Sequence, residues 1–392
     1  MAWNHLFAPG RIGHLVLPNR LIKSATLENL ATPDGLPTAA MGRFYERLAR
    51  GGAGMLITGF AYVNRTGQSY PLQSGAHTDA MIAAWRPITA AVHAHGAKIA
   101  MQIAHGGRQT KPKALGGRRP VAPSAMPNLL YFSWARSMTD AEIRQTIADF
   151  AAAAARVKAA GFDAVQLHAG HGYLISSFLS PLTNRRRDQW GGDFQRRFRF
   201  LEEVYLAVRQ AVGPDFPVMA KLNINDFVAL GLIPRDSFPA ARALAEMGLD
   251  ALEISGGIYE TALHIMRGEA PVEIFGRGRH RLERWLLAAA LGLQKRRTRF
   301  EEAYFRKYAE KLKLQLTIPL ILVGGIRRPA VAEEIIASGI ADFVSLARPL
   351  IREPGLPRKW RAGEAAPALC RSCNRCLGEM EQGNPLRCYA RA

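Results

Sequence analysis

Short runs of aliphatic residues alternate along this chain with longer stretches in which apolar positions recur every three or four residues. The apolar runs at 20–25, 55–59, 98–103, 164–168, 218–222, 251–255, 320–323 and 342–346 predict eight strands. Continuous rather than alternating hydrophobicity suits parallel strands covered on both faces. Between the runs, helical spacing predicts helices at 39–50, 80–95, 139–160, 194–212, 237–247, 300–314 and 330–338. Gly161, Gly248 and Gly339 stand where three of these helices should stop. Eight strand–helix units predict an α/β protein with a (β/α)8 TIM barrel. A doubly wound sheet is the alternative, but no Gly-x-Gly-x-x-Gly follows an early strand, and Gly51-Gly-Ala-Gly54 precedes its strand. The barrel is assigned to residues 1–362 and a short C-terminal cysteine-rich tail to 363–392.

In such a barrel, chemistry gathers at the C-terminal ends of the strands. Those ends carry Ala25-Thr26, Thr58-Gly59, Gln102, His168 with His171 and Tyr173, Lys221, Ser255-Gly256-Gly257, Gly324-Gly325 and Ala347-Arg348. Two imidazoles and a phenol in His168-Ala-Gly-His171-Gly-Tyr173 suit polarising a carbonyl and protonating the carbon beside it. Gly324-Gly325 after the seventh strand and Arg348 after the eighth fall where these barrels hold phosphate. Backbone N–H groups and a guanidinium fit a phosphate monoester, and the neighbouring polar groups fit a heterocycle. Together they point to a flavin mononucleotide (FMN) site.

Composition narrows the class. With 392 residues, 48% hydrophobic and 21% charged, the chain can bury a large core and is not disordered. No run of 18 apolar residues predicts a spanning helix, and Met1-Ala-Trp-Asn-His-Leu-Phe-Ala-Pro lacks the features of a signal, so a cytoplasmic protein is expected. The net charge is +20, and Arg277 to Lys313 is the densest stretch, with twelve Lys or Arg against four Glu. No nucleic-acid motif accompanies it, which predicts a solvated basic surface and no nucleic-acid partner. The connection 258–300 is longer than a strand–helix link needs. Its apolar stretch between Arg284 and Arg297 predicts a lid, an oligomer contact or docking site, or simply a packed helix.

All four cysteines lie in the last 23 residues, as Cys370-x2-Cys373-x2-Cys376-x11-Cys388. Clustering at one end predicts a local site rather than a disulfide framework. Three thiolates within seven residues and a fourth from a loop suit an iron–sulfur cube; zinc, free thiols and a redox disulfide are the alternatives.

Further motifs join these: Leu6-Phe7, Leu17-Pro-Asn19-Arg20, Met101-Gln-Ile-Ala-His105-Gly-Gly-Arg108, Phe178-Leu-Ser-Pro181, Asn184-Arg185, Asp188-Gln-Trp-Gly-Gly192 and Leu346-Ala-Arg348-Pro349. With them the chain resembles, over nearly its whole length, the Old Yellow Enzyme family of FMN-dependent oxidoreductases. The resemblance implies that Gln102 contacts the flavin ring and that Lys221 sits near its N1–O2 edge, where positive charge stabilises reduced flavin. It implies main-chain contacts from Ala25, Thr26 and Gly59, and a phosphate grip from Gly324, Gly325, Ala347 and Arg348. His168 and His171 would then bind the substrate's electron-withdrawing oxygen, while Tyr173 protonates Cα and reduced FMN delivers hydride to Cβ. Where many relatives place Cys, Thr or His near the flavin C4 oxygen, this chain has Leu27.

The order Ala-Arg-Pro…Cys-x-x-Cys-Asn is similar to the branch containing 2,4-dienoyl-CoA reductase and trimethylamine dehydrogenase, where a four-iron–four-sulfur cluster passes electrons to FMN. The resemblance implies such a cluster on Cys370, Cys373, Cys376 and Cys388. Those relatives continue into FAD and nucleotide-binding domains that this sequence lacks, so an external redox protein is an expected partner. The expected activity is NAD(P)H-driven reduction of activated alkenes or enoyl thioesters by a homo-oligomer. An amine dehydrogenase or demethylase, or an electron-transfer subunit of a larger complex, is the alternative.

Overall fold

A computed structural model describes residues 3–128, 131 and 133–390. All eight expected strands form: β1 (Leu21–Lys23), β2 (Met55–Ile57), β3 (Lys98–Ala104), β4 (Ala164–Ala169), β5 (Val218–Asn223), β6 (Ala251–Ser255), β7 (Leu320–Val323) and β8 (Phe343–Leu346). Neighbours pair in parallel from β4 through β8 to β1, β2 and β3. β3 then pairs back onto β4, with Gln102 opposite Gln166, so the sheet closes into a barrel.

The side-chain period of two explains how one apolar run serves two environments. Val165 and Leu167 face the outer helix layer, whereas Ala164 packs inside the barrel with Ala100, Met219, Ala251, Ile321 and Phe343. A hairpin, Gly10–Ile12 with Leu15–Leu17, adds Ile12 and Leu17 to that inner cluster and plugs its lower end. Two residues further along the strands the inward positions turn polar: Gln102, Gln166, Lys221, Glu253 and Ser345. The barrel is thus dry at its base and polar toward its mouth.

The outer layer contains α1 (Ala39–Arg50), α2 (Ala80–His93), α3 (Asp140–Ala159), α4 (Phe194–Val212) and α5 (Pro234–Glu246). After β6 come α6 (Arg281–Arg297) and α7 (Arg306–Lys313), and after β7 comes α8 (Pro329–Ala337). Thr139 and Glu142 form a reciprocal capping box that fixes the start of α3. The helix expected from residue 300 begins only at Arg306, because Ala303 takes φ +53° and interrupts the turn. Proline at the first turn starts α5 three residues earlier than its apolar spacing suggested. No helix among the described residues is long and apolar enough to cross a membrane.

The cysteine tail lies on the barrel. Its helix α9 (Arg375–Glu381) is tied down by Asn29, whose Nδ2 donates to the Met380 carbonyl at 2.7 Å, and by the Leu386 N–H donating to the Glu28 carbonyl at 2.8 Å. Asn374 Nδ2 donates to the carbonyls of Met266 and Glu269 at 2.8 and 2.7 Å, which joins the tail to the long connection after β6. That connection forms Tyr259–Thr261, Ala262–Ile265 and Val272–Phe275 as short helical pieces before α6. The earlier pieces sit over the barrel mouth, while α6 turns Leu282, Trp285, Leu286 and Leu293 to solvent.

Candidate active site

Two contiguous cavities of about 170 and 140 Å³ open at the C-terminal ends of the strands, sharing Ala25, Thr26, His171, Lys221 and Leu377 among their walls. The first is lined by Leu27, Gln102, His168 and Tyr173, and the second by Gly325, Ala347 and Arg348. Eleven of the twelve catalytic and flavin-binding residues expected from sequence thus lie on these walls or, for Gly324, beside them. Gly59 is elsewhere. Its N–H donates to the buried Glu28 carboxylate at 2.6 Å, and a Cβ there would come within 2.3 Å of that carboxylate. Burial raises the Glu28 carboxyl above its ordinary value, with Lys23 and the Gly59 N–H opposing the rise.

β4 delivers the imidazole pair and the phenol. His168 is its penultimate residue; the chain then turns through His171 at φ +61° and Gly172 at φ +78°. For a non-glycine residue that backbone needs outside support. Asn223 at the end of β5 supplies it, accepting the His171 N–H at 3.1 Å while its own amide donates to Asp226 and the Gly257 carbonyl. The turn brings His168 and His171 to 5.1 Å between ring centroids and His168 and Tyr173 to 4.8 Å. His171 Nε2 shares a 2.7 Å hydrogen bond with the Ser255 hydroxyl. His168 Nδ1 is buried with no partner among the described residues. A buried polar atom with no partner is costly, so this wall suits an oxygen arriving with a ligand.

Electrostatics fix the protonation states. Burial, then Lys221, lowers His171 to about 3; burial, His171 and Lys221 hold His168 well below its ordinary value. Both rings are therefore neutral at physiological pH, and each offers one N–H donor. Burial first, then Tyr259, raises Tyr173 well above 10, which keeps it a proton-bearing phenol.

Beneath the cavity, Lys221 Nζ lies 3.1 Å from Glu253 and donates to the Ser24 hydroxyl at 2.9 Å. Glu253 also accepts from Ser345 at 2.7 Å and from Gln166 at 3.0 Å, and Gln166 in turn accepts from Gln102 at 2.7 Å. Burial pulls the Glu253 carboxyl upward, but Lys221 and these donors outweigh it and hold the group below its usual value. The two cavity residues expected to meet a flavin ring, Gln102 and Lys221, are thus oriented by one buried carboxylate. Sequence reading missed Glu253 and Gln166. Their signal was polarity at inward positions of otherwise apolar strands.

At the other end, Gly324 takes φ +135° and Gly325 φ +75°, and added Cβ atoms would press within 3.1 Å of the Tyr304 ring. The cradle therefore requires glycine. Arg348 donates to the Arg267 carbonyl at 3.1 Å and bonds Asn374. Arg327, also on this wall and absent from the sequence expectation, has its Nε buried without a partner among the described residues. Glycine turns, two guanidiniums and an orphaned donor fit a phosphate, and with the polar ring end they fit FMN.

All four cysteines are free and line one small cavity of about 20 Å³ with Arg348, Arg352 and Asn374. Burial pushes Cys376 up to about 12 and raises Cys370. Four sulfurs beside two guanidiniums are donors of the kind an iron–sulfur cluster takes. However, no group of three His, Cys, Asp or Glu among the described residues could hold a metal ion, and the space matches about one water. The expected four-iron–four-sulfur cluster, and the zinc alternative, gain no support here beyond the identity of the donors.

Sequence reading also missed a cluster of tyrosines on the substrate side. Tyr259 lies 3.1 Å from Tyr173 between hydroxyls, and 2.5 Å from Tyr70. Met380 and Glu381 from α9 complete that wall.

Comparison with known proteins agrees with this geometry. The sequence profile described as the NADH:flavin oxidoreductase / NADH oxidase family matches residues 5–366. The chain is 37% identical over 388 residues to "NADH oxidase" of Thermoanaerobacter brockii, covering 98% of this chain and 55% of that protein. It is 34% identical over 399 residues to "4,4'-dithiodibutanoate disulfide reductase" of Rhodococcus erythropolis, covering 98% and 95% respectively. Among solved structures, 2-naphthoyl-CoA reductase in complex with 2-naphthoyl-CoA superposes with a TM-score of 0.86 at 26% identity, over 98% of this chain and 56% of that one. The chain spans about half the length of several such relatives, 55% and 53% in two cases.

Proposed function

The chain belongs to the NADH:flavin oxidoreductase / NADH oxidase family, FMN-dependent oxidoreductases of Old Yellow Enzyme type, and from that premise we propose that it reduces the C=C bond of activated alkenes or enoyl thioesters with electrons from NADH or NADPH. The observation that carries this reading is the orphaned Nδ1 of His168 on the same cavity wall as a phenol held protonated by burial. A neutral imidazole pair polarises a carbonyl oxygen without presenting a cation, and Tyr173 stands ready to give a proton to Cα. Bound between Gln102, Lys221 and the Arg327–Arg348 end, FMN would supply the hydride for Cβ.

Lys221 would place its ammonium against the ring edge where reduction leaves negative charge, and Glu253 would hold it there. Arg327, Arg348 and the Gly324-Gly325 turn would grip the phosphate. Leu27, with Phe60 and Tyr70, keeps water away from the protonating phenol. Likeness to 2-naphthoyl-CoA reductase supports a thioester as the activating group. The cysteine set, proposed from its spacing as an iron–sulfur site fed by a redox partner, takes no part in these steps.

A cationic amine would draw on the aromatic faces and the carboxylate among the tyrosines. Glu381 is already paired with Lys111 at 3.3 Å, and Lys111 Nζ stands 4.6 Å over the Tyr70 ring. The protein's own cation fills that role, which favours a neutral substrate.

Stopped-flow separation of the two half-reactions tests the proposal. Tyr173→Phe should slow reoxidation by 2-cyclohexenone about a hundredfold and leave reduction by NAD(P)H within about twofold. Equal losses in both would overturn the proton-donor role.

A further inference from the structure

Once Tyr173 has given its proton to carbon, it must regain one, and it is only 3% exposed. Its hydroxyl is 3.1 Å from that of Tyr259, which is 2.5 Å from that of Tyr70. Tyr70 donates to the Glu381 carboxylate, and the Tyr259 hydroxyl reaches the same oxygen at 3.4 Å. Tyr259 is partly buried, and at the end of the series Glu381 has 18% of its side chain exposed beside the 25% exposed Lys111. Tyr70 itself is 1% exposed. Four oxygens thus form an unbroken hydrogen-bonded line from the reacting phenol to the rim.

Resting on the reading of Tyr173 as proton donor, we propose that Tyr259, Tyr70 and Glu381 form a proton relay that reprotonates Tyr173 from solvent. As the Tyr173 O–H breaks and the Cα–H bond forms, Tyr259 passes its proton to Tyr173 and Tyr70 passes its own to Tyr259. Glu381, which accepts from Tyr70 at rest, takes up a proton from solvent at the rim, donates it to Tyr70 and so returns to the carboxylate. One solvent proton is consumed per turnover, and no electron moves along the line. These three are relay residues acting through Tyr173.

Each phenol along the line is poorly able to rest as an anion. Burial is the first cause that raises Tyr70 and Tyr259 far above 10, with Glu381 contributing to both. A phenolate stranded at Tyr173 would face the same penalty, so prompt delivery of a proton lowers the cost of its donation. The groups facing Glu381 are Lys111, which pairs with it, Tyr70 and Tyr259, which bond it, and Tyr131, 3.3 Å from Tyr70.

The test uses FMN-loaded protein, reduced beforehand and mixed with 2-cyclohexenone in H2O and D2O. Tyr259→Phe and Glu381→Gln should each slow reoxidation by at least about tenfold and change the solvent isotope effect, with reduction by NAD(P)H within about twofold. In flavin-free protein, loss of the Glu381 charge should let phenols ionise at lower pH, seen as phenolate absorbance in the near ultraviolet. Glu381→Asp should restore part of the rate. Wild-type reoxidation in both Tyr259→Phe and Glu381→Gln, while Tyr173→Phe is impaired, would overturn the relay alone. Wild-type reoxidation in Tyr173→Phe would overturn the proton-donor reading and the relay with it.

Discussion

Lys221 and Glu253 meet at 3.1 Å across the barrel interior, the carboxylate wholly buried and the ammonium 5% exposed. The pair sets both the stability of the mouth and the charge that faces the cavity. Attraction at such a distance must offset the cost of taking two ions out of water, and the donors from Ser24, Ser345 and Gln166 help to do so.

Glu253→Gln should therefore destabilise the fold by about 3–5 kcal/mol, because the lysine is left buried without its partner. Thermal unfolding measures this. The uncompensated ammonium should also raise the midpoint potential of bound FMN, read by spectroelectrochemistry. In the parent, Glu253 sits below its ordinary value of 4.5, so its contribution is present above that pH and is lost as pH falls through the folded value.

The buried imidazoles predict an acid limb of their own. His105 and His171 are lowered to about 3, each first by burial. Unfolded histidines take up protons near 6.5 and the folded ones do not, so stability falls as pH drops from about 6.5 toward 3. The thermal midpoint should decline across that window, and His171→Asn should shallow the decline. An unchanged slope in this variant would count against the assignment of a neutral ring.

Gly325→Ala should weaken FMN binding. Its φ of +75° costs an alanine about 1–2 kcal/mol, and the added Cβ would lie 3.0 Å from the Glu301 carbonyl oxygen and the Tyr304 ring. Quenching of flavin fluorescence on binding should show an affinity loss of about tenfold or more. Retained affinity would place the phosphate elsewhere.

Met380→Ala should change the substrate wall without touching the flavin end. Met380 is 8% exposed and packs with Leu27, Phe60, Tyr70 and Tyr173. Truncation should raise KM for small cyclic enones several-fold, cost about 2–3 kcal/mol of stability and leave reduction by NAD(P)H unchanged.

Much of this was legible in the order of residues. Strand β7 and helices α1 and α4 fall on their expected boundaries, because a uniform apolar run and strong helical spacing admit one reading, and β6 does so despite a glutamate at its centre. His168, His171, Tyr173, Gln102 and Lys221 were found because a barrel gathers its strand ends. The partner of the Gly59 N–H was not legible, since nothing local shows that Glu28 takes it. Tyr70, Tyr259 and Glu381 were invisible for a similar reason: 311 residues separate Tyr70 from Glu381, and only folding of the tail onto the mouth joins them. The ion partner of Lys221 was concealed by the same tight strand in which it sits, where one glutamate looked like an interruption.

The roof over Tyr173 is made from chain that follows the last barrel strand, through Leu377, Met380 and Glu381. The space above the phenol therefore depends in part on a segment outside the eight strands, and the same segment reaches the neighbouring cavity through Ser372 and Leu377. Substitutions there can reshape both cavities at once while eight strands keep their registers.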